Sequence, residues 1–382
     1  MPSTILQVIQ EYSNGGGAET VSYELSKAFS HHGLKNEVRS SHLKIPPPSG
    51  TTARPLAGFL SRIATRGRMR YVGRLLVVPL FSIATWFAIR TGNSRIIISH
   101  GDCVSGDVMI IHAVNAASIE IKRQEGDWKW RLNPTHYWVA LRDHFTIRGL
   151  RFRRYIAVSK RVKEELKHFY GVPDERIRII PNGIDVKRFA PHPEARQPIR
   201  ERYGIPQDAK VLTLVGHEFR RKGLEFVIRA LAHLDSDVWL MVIGSEDPAP
   251  YRDLVPEVSS RIVFTGPQRE MADFYAATDI YVFPTSYETF SLVCMEALAC
   301  GVPVIATAVG GIEDYIVEGV NGYFIDRDPE QIADRVRATF SSPEHYAELS
   351  AAARATARAY SWNRIAEFYL ALFRELDAET GV

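Results

Sequence analysis

At 382 residues, 46% of them hydrophobic and 24% charged, the chain is longer than one ordinary domain and apolar enough to build a core in each of two. Its net charge of +3 gives no argument for nucleic acid. Three cysteines, Cys103, Cys294 and Cys300, are an odd number without framework spacing, which excludes a disulfide scaffold and fits a reducing cytoplasm.

In chain order, a first strand is predicted over residues 4–9. Gly15, Gly16 and Gly17 follow, and a helical pattern runs over 19–32. No cleavable apolar leader fits ahead of them. Glycines let a backbone come close to a ligand, and a helix start favours an anion. As a dinucleotide fingerprint the stretch is incomplete, because Thr20 stands where the last glycine belongs. Residues 51–95 then carry eight arginines (54, 62, 66, 68, 70, 74, 90 and 95) and no acidic residue. Apolar residues lie among them, and the apolar run 75–89 follows. Pro79 interrupts that run, which is shorter than the roughly 20 residues a membrane-spanning helix needs. A basic amphipathic surface of this kind suits an anionic membrane. An ordinary helix pair with a solvated basic face fits equally well. Nothing supplies base-stacking or groove geometry, so no nucleic-acid partner is expected.

Short apolar runs predict further strands over 95–99, 108–112, 155–159 and 177–180, with a helix over 160–170. Pro181-Asn182-Gly183 is turn chemistry, and the charged, aperiodic stretch up to Pro206 reads as a linker. A second series begins at Lys210, with strands over 210–215, 238–243, 262–265, 280–283 and 302–306. Helices fall between them over 224–234, 271–277 and 291–300. Apolar strands alternating with helices predict doubly wound parallel sheets. The division expected is an N-terminal domain over 1–185, a C-terminal domain over 186–360, and a last helix over 361–382 packing back on the first domain. Asp235-Ser236-Asp237 is read as a turn rather than a metal site, and no His/Cys cluster has ligand spacing.

The densest chemistry lies in 281–322. A strand ends at Pro284, Glu288 follows in the loop, and a helix starting near Ser291 would turn unpaired N–H groups and its positive dipole end toward that loop. A diphosphate is stabilised at such a place. Glu296 lies roughly 7–8 Å further along that helix at about 1.5 Å per residue. Two carboxylates flanking a phosphate site can accept hydrogen bonds from the hydroxyls of a hexose and a ribose. Arg221 and Lys222, beside the helix-opening Gly223, would supply cations. His112 closes the strand predicted over 108–112.

Glu288-x7-Glu296, followed by Gly301-Val302-Pro303 and Gly310-Gly311, resembles the signature of the large retaining GT-B glycosyltransferase family. That family includes sucrose synthases, bacterial mannosyltransferases and lipopolysaccharide-core glucosyltransferases. The likeness continues through Ala157-Val158-Ser159, Pro181-Asn182-Gly183-Ile184-Asp185, Val215-Gly216, Arg221-Lys222-Gly223, Gly244 and Phe264-Thr265-Gly266. It is weakest over 40–105. The resemblance implies an α/β GT-B fold, two Rossmann-like doubly wound domains facing a cleft. It also implies retaining transfer of a hexose from a UDP- or GDP-sugar, without a cofactor. The absence of metal-ligand spacing makes the expected reaction metal-independent, and the basic segment 51–95 points to a glycan or lipid-linked acceptor.

By the same likeness Glu288 contacts the donor sugar, and Phe290, Ser291 and Leu292 offer backbone N–H groups. Glu296 holds the ribose, Arg221 and Lys222 neutralise the diphosphate, His112 touches the transferring sugar, and Gly16 and Gly17 face donor phosphate and acceptor. Two positions depart from the family: His217 stands where many relatives have Arg, and Asp314 where they usually have Glu. The expected setting is cytoplasmic, with peripheral attachment to the inner membrane face through 51–95, in envelope polysaccharide or lipopolysaccharide assembly. The rivals are a nucleotide-sugar epimerase or hydrolase on the same fold, and a non-catalytic nucleotide-sugar-binding protein.

Overall fold

A computed structural model describes residues 4–13, 15–58, 60, 77, 79–87 and 95–380. The chain forms two compact units, one of Met1–Gly183 with Trp362–Val382, the other of Ile184–Ser361.

The first unit holds a seven-stranded sheet. Its strands are β1 (Thr4–Val8), β3 (Asn36–Ser40), β5 (Thr51–Pro55), β6 (Arg95–Ser99), β7 (Gly106–Ile111), β8 (Phe152–Ala157) and β9 (Ile177–Ile179). They lie in the order β5-β3-β1-β6-β7-β8-β9, all pairings parallel, while β2 (Glu11–Tyr12) and β4 (His42–Leu43) make a separate small ribbon. From β1 the chain winds outward through β3 and β5, then returns to lay β6 on the other side of β1. That reversal opens a crevice at the carboxyl ends of β1 and β6, the place where ligands bind in such sheets.

Within the first unit the helix Trp362–Thr380 packs on the helix Gly17–His31, with Phe29 against Tyr369 and Phe373 at ring separations of 5.8 and 5.6 Å. Arg154 and Arg178, on β8 and β9, pair with Glu375 of the same helix. Gly183 lies against the indole of Trp362, where a Cβ would fall 2.5 Å from the ring.

The second unit holds β10 (Lys210–Val215), β11 (Val238–Ile243), β12 (Ile262–Gly266), β13 (Ile280–Phe283), β14 (Val304–Thr307) and β15 (Gly322–Ile325). Their order is β12-β11-β10-β13-β14-β15, again parallel, so the reversal falls between β10 and β13. Strand periodicity of two sends alternate residues to opposite faces. Leu212 and Leu214 of β10 join one core with Ile228, Leu240, Val282 and Ile332, and Val211 joins another with Ile199, Met241 and Phe274. Burial on both faces is why these strands read as unbroken apolar runs.

One expectation is corrected. The stretch 51–95 does not open as a helix pair, because Thr51–Pro55 is a strand paired with β3 from Asn36↔Thr51 to Ser40↔Pro55. Of its arginines, 54 and 95 lie in strands, and 62, 66, 68, 70, 74 and 90 fall outside the described residues. Residues 79–87 are helical.

Candidate functional site

In the second unit the loops after β10 and β13 meet at the sheet reversal. Gly216 follows β10, and a Cβ there would meet the Lys222 stem at 2.7 Å, so glycine lets that stem pass. Lys222 closes the short helix Phe219–Lys222, and Gly223 turns the chain with φ +77°, its Cα close against the Pro284 carbonyl. Ser286 N–H donates to the Arg221 carbonyl at 2.9 Å and so ties the two loops together.

Across that junction Lys222 Nζ pairs with Glu288 Oε1, and Arg221 Nη1 reaches the same oxygen at 3.1 Å and the Tyr287 carbonyl at 2.6 Å. Lys222 Nζ also sits 4.6 Å from the centre of the Phe283 ring. Burial is the largest influence on both cations. It lowers the Lys222 pKa against the pull of Glu288, whereas for Arg221 the carboxylates of Glu288 and Glu218 outweigh it and raise the pKa.

The helix Leu292–Ala299 starts behind Glu288, and its N-cap Ser291 is held at φ +70°, an uncommon conformation for a side chain with a Cβ. The surroundings enforce it. Tyr315 donates its hydroxyl to the Phe290 carbonyl at 2.9 Å, and Gly311 N–H donates to the Thr289 carbonyl at 2.9 Å. A Cβ on Gly310 would fall 1.9 Å from the Glu288 carbonyl oxygen. Gly310 and Gly311 therefore back directly onto the Glu288–Phe290 backbone and set its course. Further along the helix, Glu296 Oε2 lies 3.0 Å from the Tyr275 hydroxyl. Burial raises the Glu296 pKa to about 7, opposed by Tyr275 and Arg188.

Arg221, Lys222 and Glu288 thus come together at the strand ends, Phe290, Ser291 and Leu292 lead into the helix behind Glu288, and Glu296 lies further along that helix against Tyr275. His217 hydrogen-bonds Ser245 at 2.9 Å, and among the ion pairs of the described residues it is Arg221 and Lys222 that meet Glu288. Sequence reading missed Tyr275, because nothing in 271–277 marks a tyrosine facing a carboxylate on another helix.

In the first unit Gly16 is the N-cap of Gly17–His31, and a Cβ there would lie 2.3 Å from Glu19 Oε2. Gly16 therefore makes room for the Glu19 carboxylate, whose pKa burial raises. A Cβ on Gly17 would meet nothing within 4 Å. His112 follows β7 and is half-buried. Its Nε2 lies 3.0 Å from Nδ1 of His100, which follows β6. Burial lowers His112 to about 4 and His100 well below the usual histidine range. His100 went unnoticed in the sequence because a lone histidine after a strand carries no signal until β6 and β7 are known to be neighbours.

Comparison with known proteins matches residues 15–188 to Glycosyltransferase Family 4 and residues 195–356 to Glycosyl transferases group 1. A D-inositol 3-phosphate glycosyltransferase of Xylanimonas cellulosilytica is 34% identical over 234 residues, which are 58% of this chain and 56% of that protein. The chain spans little more than half the length of the curated relatives it matches. Among solved structures, WaaG, a glycosyltransferase involved in lipopolysaccharide biosynthesis, aligns with a TM-score of 0.77 at 21% identity, covering 96% of this chain and 98% of WaaG. Sucrose-phosphate synthase from Thermosynechococcus elongatus aligns equally well, with a TM-score of 0.77, 21% identity and coverage of 99% and 100%. HepE of Anabaena, solved in complex with UDP-glucose, has a TM-score of 0.67 at 17% identity, covering 97% of this chain and 99% of that one. The chain is thus similar to Glycosyltransferase Family 4 over residues 15–188 and to Glycosyl transferases group 1 over residues 195–356, on the two-domain Rossmann-like GT-B fold.

Proposed function

We propose that this protein is a retaining, metal-independent hexosyltransferase using a UDP- or GDP-sugar and a glycan or lipid-linked acceptor. The observation that carries the reading is the junction in which Arg221 and Lys222 converge on Glu288 beside the start of Leu292–Ala299. Two cations and a helix start stabilise the departing diphosphate. Glu288 and His112 hold the hexose, and Glu296 takes the ribose hydroxyls. Gly16 and Gly17 let donor phosphate and acceptor approach. The acceptor hydroxyl attacks the face the diphosphate leaves, and the leaving phosphate oxygen takes its proton. The matched relatives are named as transferases, which favours transfer over epimerisation.

Thermal shifts with UDP, GDP and ADP identify the base, because a matched nucleotide stabilises the fold by mass action. Turnover is then measured with the matched sugar donor and a panel of acceptors. Glu288→Gln keeps the side chain's shape and is expected to abolish transfer. A full rate in that variant overturns the assignment, and epimerised donor or free sugar at full speed without acceptor revives the rival.

A role in envelope-glycan assembly at an anionic membrane face is part of this proposal. Trp128, Leu132, Tyr137, Leu141 and Phe145 are exposed, as are Arg131 among them in sequence and Arg148 and Arg151 just after. Such a mixture suits a lipid interface. Among the described residues no helix is long and apolar enough to cross a membrane. Sedimentation with phosphatidylglycerol vesicles at low salt tests the idea, and equal indifference to anionic and neutral vesicles ends it.

A further inference from the structure

His100, which no part of the reading above uses, lies at the end of a continuous buried chain of hydrogen bonds whose direction can be worked out atom by atom. The Ser26 hydroxyl donates to the Ser22 carbonyl at 2.8 Å, so it has no hydrogen left to give Gln7. Gln7 Nε2 must then donate to Ser26 Oγ, at 3.0 Å, and it also donates to Asn36 Oδ1 at 3.3 Å. That orients the amide, and Gln7 Oε1 faces His100 Nε2 at 2.9 Å while accepting from the Ser22 hydroxyl at 3.3 Å.

An oxygen acceptor at that distance requires His100 Nε2 to carry the hydrogen. A neutral imidazole carries only one, so His100 Nδ1 is an acceptor. The partner of that nitrogen is His112 Nε2, 3.0 Å away in a ring tilted by only 8°. His112 must therefore hold its own hydrogen on Nε2. Gln7, Ser22 and Ser26 are fully buried and His100 is 5% exposed, so water does not compete for these bonds. The same burial keeps both rings neutral.

We propose that His100 is a positioning residue that, oriented by Gln7, Ser26 and the Ser22 carbonyl, locks the partly accessible His112 in the Nε2–H tautomer. This rests on the reading of His112 as a sugar contact and fixes the orientation of the ring that makes it. The lock lies entirely in the first unit, with Gln7 on β1 and the two histidines following β6 and β7.

Two-bond nitrogen–proton spectra of the full chain with 15N-labelled histidine, assigned through His112→Gln, read the tautomer directly. The wild-type protein is expected to show His112 with hydrogen on Nε2. An Nδ1–H ring in the wild type overturns the proposal without any variant having to fold. His100→Phe is expected to give His112 a mixture of tautomers. His100→Asn, whose Oδ1 takes the place of Nδ1, restores the single form. An unchanged His112 signal in His100→Phe also overturns it.

The same proteins are assayed for release of the nucleoside diphosphate from the sugar donor matched by the thermal shifts. His100→Phe is expected to lower kcat about tenfold, the worth of one transition-state hydrogen bond. KM stays within about twofold because the ring remains in place, and His100→Asn recovers the rate. Spectra that respond while turnover does not uphold the lock and remove His112 from the sugar site, which separates the two failures.

Discussion

At the scale of the residue, Glu296 and Gly17 show how environment assigns a task that the residue type leaves open. The Glu296 carboxyl titrates at about 7 instead of the ordinary 4.5, because its burial outweighs the help of Tyr275 and Arg188. A folded-state pKa above the unfolded one favours the fold most below pH 4.5, and that contribution is lost as pH rises through 7. Binding runs the other way, because ribose hydroxyls donate to a carboxylate. On the proposed reading the matched nucleoside diphosphate binds about tenfold more weakly at pH 6 than at pH 8, following the ionised fraction. Glu296→Gln flattens the profile, and calorimetric titration at the two pH values checks both statements. Gly17 separates fold from function more simply. It is the first residue of its helix and a Cβ there is unopposed, so Gly17→Ala stabilises by about 0.5–1 kcal/mol on helix propensity. Donor turnover is expected to fall in that variant if ligand comes close there. A rise in both stability and rate removes Gly17 from the site.

At the scale of the element, the Glu288 loop and the helix behind it are held by neighbours distant in sequence. Ser291 keeps its left-handed conformation because Tyr315 and the Gly310-Gly311 turn over-determine the backbone around it. Gly310 has φ +57° as well as the close approach to Glu288, so Gly310→Ala combines backbone strain with a displaced loop. It should raise the donor KM by at least about tenfold, the worth of one lost hydrogen bond, while circular dichroism stays native. An unchanged KM would show that the loop's course does not matter.

The legibility of the sequence follows the same division. Strands buried on both faces, such as β10, β11 and β13, were readable because local apolarity suffices to identify them. β3 was not readable, since Asn36, Glu37, Val38, Arg39 and Ser40 look like a loop. Asn36 is buried because Gln7 and Thr51 satisfy it, and Glu37 because Arg39 and Arg95 pair with it. β5 was lost for the same reason, since it exists only as the partner of β3. Of the site, the carboxylates and cations stood in recognisable spacings. Tyr275, His100 and Gln7 did not, because their roles arise only when separate elements are brought together.

At the scale of the whole molecule, the two units have unequal claims to independence. The chain enters the second unit at Ile184 and leaves it at Ser361, and these ends meet in a parallel bridge, with Ile184 N–H donating to the Tyr360 carbonyl at 2.8 Å. Everything between is one continuous stretch with its own sheet and two packed cores. The first unit is discontinuous, because its last helix arrives only after the second unit is complete. Without Trp362–Thr380, Phe29 loses Tyr369 and Phe373, and Arg154 and Arg178 lose Glu375. Uncovering one large aromatic side chain removes on the order of 1.5–3 kcal/mol, and here several apolar side chains are uncovered at once. That is a large part of a typical domain's stability of about 5–15 kcal/mol. A fragment of 184–361 is therefore expected to melt cooperatively, and a fragment of 1–183 to lack a cooperative transition until the peptide 362–382 is added. Calorimetry of the three preparations decides it. On the proposed reading the 184–361 fragment also keeps the rise in Tm with the matched nucleoside diphosphate, because Arg221, Lys222, Glu288 and Glu296 all belong to it. A cooperative melt of 1–183 alone would show that the returning helix is an accessory to the first unit rather than part of its core.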